Sequence, residues 1–217
     1  MIRRVALGVT GHRLDQLPEA DIPRLRRTLA RVMDKTEAAA KAAARRDPVR
    51  MTMVSALAEG TDRFAAHAAL ARDWTLVAPL PFRVARYLRD FETPASKAEF
   101  RSMLDAATGY EPVGRGSYLA VGAMILDRCD VLVALWNGAA PRGPGGTADV
   151  AARALRMGTP VIWIPVEARK PPRLITPPRM PRAHSYRARL HAALATAFKS
   201  GAQPDTMHIA HAQSLSR

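Results

Sequence analysis

Apolar residues along the chain fall into two kinds of run. Short, nearly continuous runs lie at 4–9, 51–54, 74–80, 131–135 and 161–164, rich in Val, Leu, Ile and Met. That is the pattern of parallel strands covered on both faces. Between them the apolar positions recur at helical spacing. Ile22, Leu25, Leu29, Val32, Met33 and Thr36 share one face and predict a helix over 22–46, stopped at Asp47-Pro48. Further helices are predicted through Phe64, His67 and Leu70, over 84–90 and 96–107, over 117–128 with Tyr118, Val121, Ile125 and Leu126 on one face, and over 150–157. Residues 109–116 read as a turn-rich break. Strands that alternate with helices predict an α/β fold, a Rossmann-like doubly wound parallel sheet of about five strands in the order 3-2-1-4-5.

The pattern changes after Pro165. Pro171, Pro172, Pro177, Pro178 and Pro181 with scattered Arg read as an extended linker, and helical spacing returns over 184–199 through Leu190, Leu194 and Phe198. The expected organisation is therefore a nucleotide-binding domain over 1–165 and a Pro/Arg-rich linker with a helical tail over 166–217. The tail is expected to dock on the domain or on a second subunit, which leaves a homo-oligomer open.

Composition narrows the partners. Lys and Arg outnumber Asp and Glu, 33 to 19, giving a net charge of +14, which attracts nucleotides, nucleic acids and acidic surfaces without choosing among them. The longest uncharged apolar run, Tyr118 to Leu126, is too short to cross a bilayer, and Met1-Ile2-Arg3-Arg4-Val5 does not resemble a secretory leader. A cytoplasmic protein with no membrane partner is expected. The single cysteine, Cys129, reads as a buried structural thiol, and the pair His208 and His211 lacks the further ligands of a metal site. Neither a metal nor a cofactor is expected.

Candidate chemistry lies where strands run into helices. After the run at 131–135 comes Trp136-Asn137-Gly138-Ala139-Ala140-Pro141-Arg142-Gly143-Pro144-Gly145-Gly146-Thr147-Ala148-Asp149. Unpaired amides and the helix dipole favour an anion at such a helix start, and glycines let it approach. Thr147 adds a hydroxyl, Asp149 sits where a sugar hydroxyl or a water can be held, and Asn137 joins the ligand-binding candidates. The turn Gly8-Val9-Thr10-Gly11-His12-Arg13 supplies close approach at Gly11 and a planar fork at Arg13, while His12 can bind, shuttle a proton or cap the turn. A third turn, Ser55-Ala56-Leu57-Ala58-Glu59-Gly60-Thr61-Asp62, offers Ser55 and Glu59, with Thr61 or Asp62 read as helix caps. In the expected strand order these turns meet at the reversal point of the sheet.

Taken together, Gly8 to Arg13, Val54 to Asp62 with His67 and Leu70, and Pro144 to Asp149 resemble the SLOG superfamily. That superfamily joins the DNA-processing protein A (Smf) proteins with the Lonely Guy type phosphoribohydrolases. The resemblance covers about residues 1 to 165. The middle segment is similar to the Ser-Gly-Leu-Ala-x-Gly-Ile-Asp pattern of the Smf proteins, with Ala56 in place of Gly. The last is similar to the Pro-Gly-Gly-x-Gly-Thr-x-x-Glu loop of the hydrolases, with one glycine absent and Asp149 earlier than the Glu. The resemblance implies a nucleotide or nucleotide-derived ligand, held as by a sensor. Its alternatives are cleavage of a nucleoside monophosphate N-glycosidic bond, with Asp149 and Glu59 as catalytic carboxylates, and Smf-like binding of single-stranded DNA, which ranks below a small molecule.

Overall fold

The computed structural model describes residues 1–113, 116–140, 143–168, 170–178 and 185–198. Its centre is a seven-stranded sheet made from β1 (Arg3–Gly11), β2 (Val49–Val54), β3 (Thr75–Leu80), β4 (Gly109–Pro112), β5 (Val131–Trp136), β6 (Val161–Pro165) and β7 (Arg173–Ile175). The strand order is β4-β3-β2-β1-β5-β6-β7. Every pairing is parallel except that of β6 with β7.

The five strands expected from the apolar runs are present in the expected order, but the expected count of about five is too low. Both additions are edge strands. β4 is a short, exposed strand whose Gly109 and Pro112 read as turn residues, yet its backbone pairs with β3. β7 lies among prolines and holds only three residues, of which Leu174 and Ile175 are buried. Edge strands pair on one side only, so Gly and Pro are tolerated there and the apolar signal that marks a central strand is missing.

Seven helices accompany the sheet among the described residues: α1 (Ile22–Ala44), α2 (Thr61–Leu70), α3 (Val84–Tyr87), α4 (Pro94–Ala106), α5 (Tyr118–Arg128), α6 (Thr147–Arg156) and α7 (Tyr186–Phe198). Alternation along the strands sends side chains to opposite faces. Val5, Leu7 and Val9 of β1 and Val131, Val133 and Leu135 of β5 join a cluster with Leu25, Leu29 and Met33 of α1, Phe64 of α2 and Leu190 and Leu194 of α7. Leu132, Ala134 and Trp136 of β5 join a second cluster with Val121 and Ile125 of α5 and Val150 and Ala154 of α6. Truncating a fully buried leucine such as Leu7 in a sheet packed on both faces costs about 2–5 kcal/mol.

Cys129 belongs to the second cluster and is buried, its thiol pushed up to about 12 by desolvation. A Cβ built on Gly8 would lie 2.9 Å from its sulfur. The thiol is a packing group against β1.

The chain leaves β1 towards β2, β3 and β4, then returns to place β5 on the other side of β1. The direction of winding thus reverses between β1 and β5. At the carboxyl ends of these two strands the adjoining loops diverge and open a crevice.

Candidate functional site

The crevice is an open cleft of about 590 Å³ at the carboxyl ends of β1 and β5. Gly11, His12 and Arg13 line it from the β1 turn, Asn137, Gly145, Gly146 and Thr147 from the β5 turn, and Ala56, Ala58 and Asp62 from the β2 turn. Three segments far apart in sequence therefore meet.

Hydrogen bonds stitch them together. Thr61 donates to the His12 carbonyl through its amide (3.2 Å) and its hydroxyl (3.0 Å). On the other side the Asn137 amide donates to Nε2 of His12 at 3.2 Å, a role that requires this nitrogen to be unprotonated. His12 is thus the central tie between three turns. Glycine permits the close approach: a Cβ on Gly11 would lie 2.4 Å from the Thr61 hydroxyl, and one on Gly60, at φ +90°, would lie 2.7 Å from the His12 carbonyl oxygen.

The glycine-rich turn packs closely on the start of α5. Gly145 takes φ +82°, and a Cβ there would lie 2.8 Å from the Leu119 amide at the start of α5. Gly146 is the residue before the first turn of α6, and no side chain caps the helix among the described residues. The Asn137 side chain accepts from the Ala139 amide at 3.0 Å, which folds its own turn.

Arg13 reaches across the cleft and stacks over the Tyr118 ring, 5.3 Å from its centroid. Burial by itself would lower the Arg13 pKa, but its hydrogen bond to Tyr118, with Tyr87 and Asp90 nearby, outweighs that and raises it. The Tyr118 hydroxyl in turn donates to Asp90, which also accepts from Arg86 at 2.6 Å. The guanidinium is therefore held charged over an aromatic face.

Three residues expected in the site lie outside the cleft lining. Ser55 is fully buried: its hydroxyl donates to the Asp62 carbonyl (3.1 Å) and accepts from the Leu57 amide (3.2 Å). Glu59 accepts from the Ser96 hydroxyl of α4. Asp149 turns back along its own loop and accepts from the Gly145 amide at 2.9 Å. Of the long glycine-rich stretch, Pro141 and Arg142 lie outside the described residues, as do His184, His208 and His211 of the tail.

Two residues of the cleft carry no distinctive motif. Asp62, read as a cap, is not one: Gly60 is the residue before α2, and the Asp62 carboxylate accepts from the Ala58 amide at 3.4 Å. Desolvation pushes its pKa up to about 7 against the opposing pull of that amide, Arg13 and Arg63. Tyr87, from α3, is fully buried on the cleft wall, and its hydroxyl has no hydrogen-bond partner among the described residues. Desolvation first, and then Asp62, raises its pKa. A Gly-Thr-Asp run at a helix start signals a cap and an isolated Tyr signals a core residue, so only the folded chain brings this pair to the cleft.

Sheet order, reversal point and cleft together define a doubly wound, Rossmann-like domain with an open cleft at the edge of the sheet where such folds bind ligands. No protein-family model and no curated protein matches the chain. Among solved structures, DNA processing protein A from Streptococcus pneumoniae superimposes with a TM-score of 0.50 at 17% identity, over 76% of this chain and 52% of that one. DNA processing protein A from Helicobacter pylori matches with a TM-score of 0.46 at 17% identity, over 77% of this chain and 68% of that one. The molybdenum cofactor carrier protein of Chlamydomonas matches with a TM-score of 0.44 at 20% identity, over 74% of this chain and 76% of that one. The chain thus shares the fold of the pneumococcal protein and spans about half of its length. The fold implied by the SLOG resemblance is the one found.

Proposed function

We propose that the chain binds a nucleotide or nucleotide-derived small molecule in the cleft between the β1 and β5 turns, as a ligand sensor. The observation that supports this most is that Arg13 lines the same cleft as Gly145, Gly146 and Thr147 at the start of α6. One side contributes a charged planar fork, the other helix-start amides and a hydroxyl. Both favour a phosphate, and the glycines leave room for it. The cleft, about 590 Å³, falls within the roughly 300–1,000 Å³ of small-molecule sites.

The cleavage alternative asks for a carboxylate at the sugar. Glu59 and Asp149, which were expected to supply it, bond to Ser96 and to the Gly145 amide, so binding without cleavage is the reading these residues favour. The single-stranded DNA alternative rests on net charge and on likeness of fold, neither of which selects a ligand.

Isothermal titration with AMP, ADP-ribose and a cyclic nucleotide tests the proposal. At least one is expected to bind, and Arg13→Ala is expected to weaken it about tenfold to a hundredfold, the size of a lost charge-assisted hydrogen bond. Absence of binding by all three, or affinity indifferent to Arg13, would contradict it.

A further inference from the structure

The cleft has a second polar end that a phosphate cradle does not use. Arg13 and His12 lie in the turn after β1, at the middle of the sheet. The start of α6 at Thr147 and Ala148 lies on the β5 side, beyond the Gly145 amide that Asp149 takes up. On the β2 and β3 side the wall carries Asp62 and Tyr87. The helix start and Arg13 favour a phosphate on the first side, and the second offers a carboxyl and a phenol instead.

The chemistry of this second end is specific. Asp62 accepts from the backbone of its own loop through Oδ2 and borders the cleft. An ionised carboxylate only accepts, and its two oxygens suit a pair of neighbouring hydroxyls. Tyr87 adds a hydroxyl that is completely buried and unpartnered among the described residues. Buried polar groups are nearly always hydrogen-bonded, so an orphan at a cleft wall marks a position where a bound molecule completes the bond.

We propose that Asp62 and Tyr87 form the subsite that recognises the ribose hydroxyls of a nucleotide whose phosphate lies at the Gly145–Thr147 turn. The inference rests on the nucleotide reading of the cleft and adds to it a position for the sugar. Two vicinal hydroxyls donate to the Asp62 carboxylate, and the Tyr87 hydroxyl bonds to one of their oxygens. A 2',3'-dideoxy ligand leaves both protein groups unpaired, which is the most discriminating loss a polar subsite can suffer.

The proton balance follows from the surroundings of Asp62. Arg13 from the β1 turn and Arg63 on α2 favour its ionised form, as does the Ala58 amide. Tyr87 of α3 faces it as a neutral phenol, Tyr118 of α5 and Asp90 take up the far side of Arg13, and Glu99 of α4 is held by Arg63 at 2.7 Å and His67 at 2.8 Å. Burial outweighs these favourable charges and brings the carboxyl to about 7. Hydroxyl donors stabilise the ionised form, so binding of the sugar releases a proton near neutrality, and the preference for a diol strengthens as pH rises.

The test compares AMP with 2',3'-dideoxy-AMP by isothermal titration at about pH 6 and about pH 8, one unit either side of the carboxyl. The two phosphates titrate alike, so the ratio of their affinities reports the hydroxyls alone. The wild-type chain is expected to favour AMP by about tenfold or more at the higher pH and several-fold less at the lower. In Asp62→Asn the ratio loses its pH dependence and falls towards one, while dideoxy-AMP still binds at least as well as to the wild-type chain, which shows that the cleft is intact. Tyr87→Phe is expected to reduce the ratio a few-fold at both pH values and provides a second variant should Asp62→Asn fold poorly. Equal binding of both nucleotides to the wild-type chain overturns the subsite and leaves the nucleotide reading standing. Binding of neither overturns both. A ratio unmoved by either substitution removes these residues from the site.

Discussion

Asp62 concentrates more of the physics of the cleft than any other side chain. Its carboxyl is raised from 3.8 to about 7 by burial, so the folded chain holds its proton more tightly than the unfolded chain does. The stabilisation from that proton is complete below the unfolded value and is lost as pH rises through about 7. Asp62→Asn mimics the neutral form and keeps an oxygen for the Ala58 amide. The variant and the wild-type chain should therefore unfold alike near pH 4, and the variant should become the more stable above neutrality, by up to about 4 kcal/mol. Denaturant unfolding of both across that range checks it, and a gap that stays constant or narrows with pH would contradict the assignment. Asp90 and Glu99, whose values are lowered by hydrogen bonds to Tyr118 and His67 that outweigh burial, lose their contribution at acid pH in both chains and cancel from the comparison. At this scale the sequence was legible where chemistry is local. Gly11, Arg13, Gly145, Gly146 and Thr147 stand out by type and neighbourhood, and the fold brings them to one cleft. The Asp62 role depends on burial and on Tyr87 from another helix, and no local pattern encodes that pairing.

Among the elements, the β2 turn shows how a loop can be held in a costly conformation. Leu57 is fully buried at φ +60°, a region that favours glycine. Ser55 pins it by accepting the Leu57 amide and donating to the Asp62 carbonyl, and Arg63 donates to the Leu57 carbonyl at 3.1 Å. The hydroxyl expected to touch a ligand instead fixes the start of α2, and through it Asp62 and the Thr61 bonds to His12. Ser55→Ala leaves a buried donor and a buried acceptor without their partner and should cost about 1–3 kcal/mol. Because the loop positions a cleft residue, nucleotide affinity should fall together with thermal stability. A stable variant with unchanged affinity would mean that the turn does not need its pin. The elements themselves were legible wherever periodicity is strong, as in α1 and β5. The edges β4 and β7 were not, because their stability comes from a neighbour's backbone rather than from their own side chains.

For the molecule as a whole, the topology does what no single turn can. Placing β5 beside β1 brings the Gly11–Arg13 and Gly145–Thr147 turns to one edge, and the β2 turn flanks them through Thr61 and His12. The net charge of +14 attracts anions of any kind, so charge bears on how fast a phosphate arrives and, in the proposal made above, the cleft selects among them. No described helix is long and apolar enough to cross a membrane. Beyond Pro165 the described chain returns to the sheet as β7 and to α1 as α7, where the Arg189 side chain donates to the Ala43 carbonyl at 2.9 Å. The central claim is that turns separated by more than a hundred residues act as one binding surface. Its most direct test is an amide-resolved NMR titration of the wild-type chain with AMP and with ADP-ribose. Shifts concentrated together at Gly11, Arg13, Gly145, Gly146 and Thr147, saturating on one curve, are the predicted result. Shifts confined to one of the turns, or centred elsewhere on the chain, would contradict it.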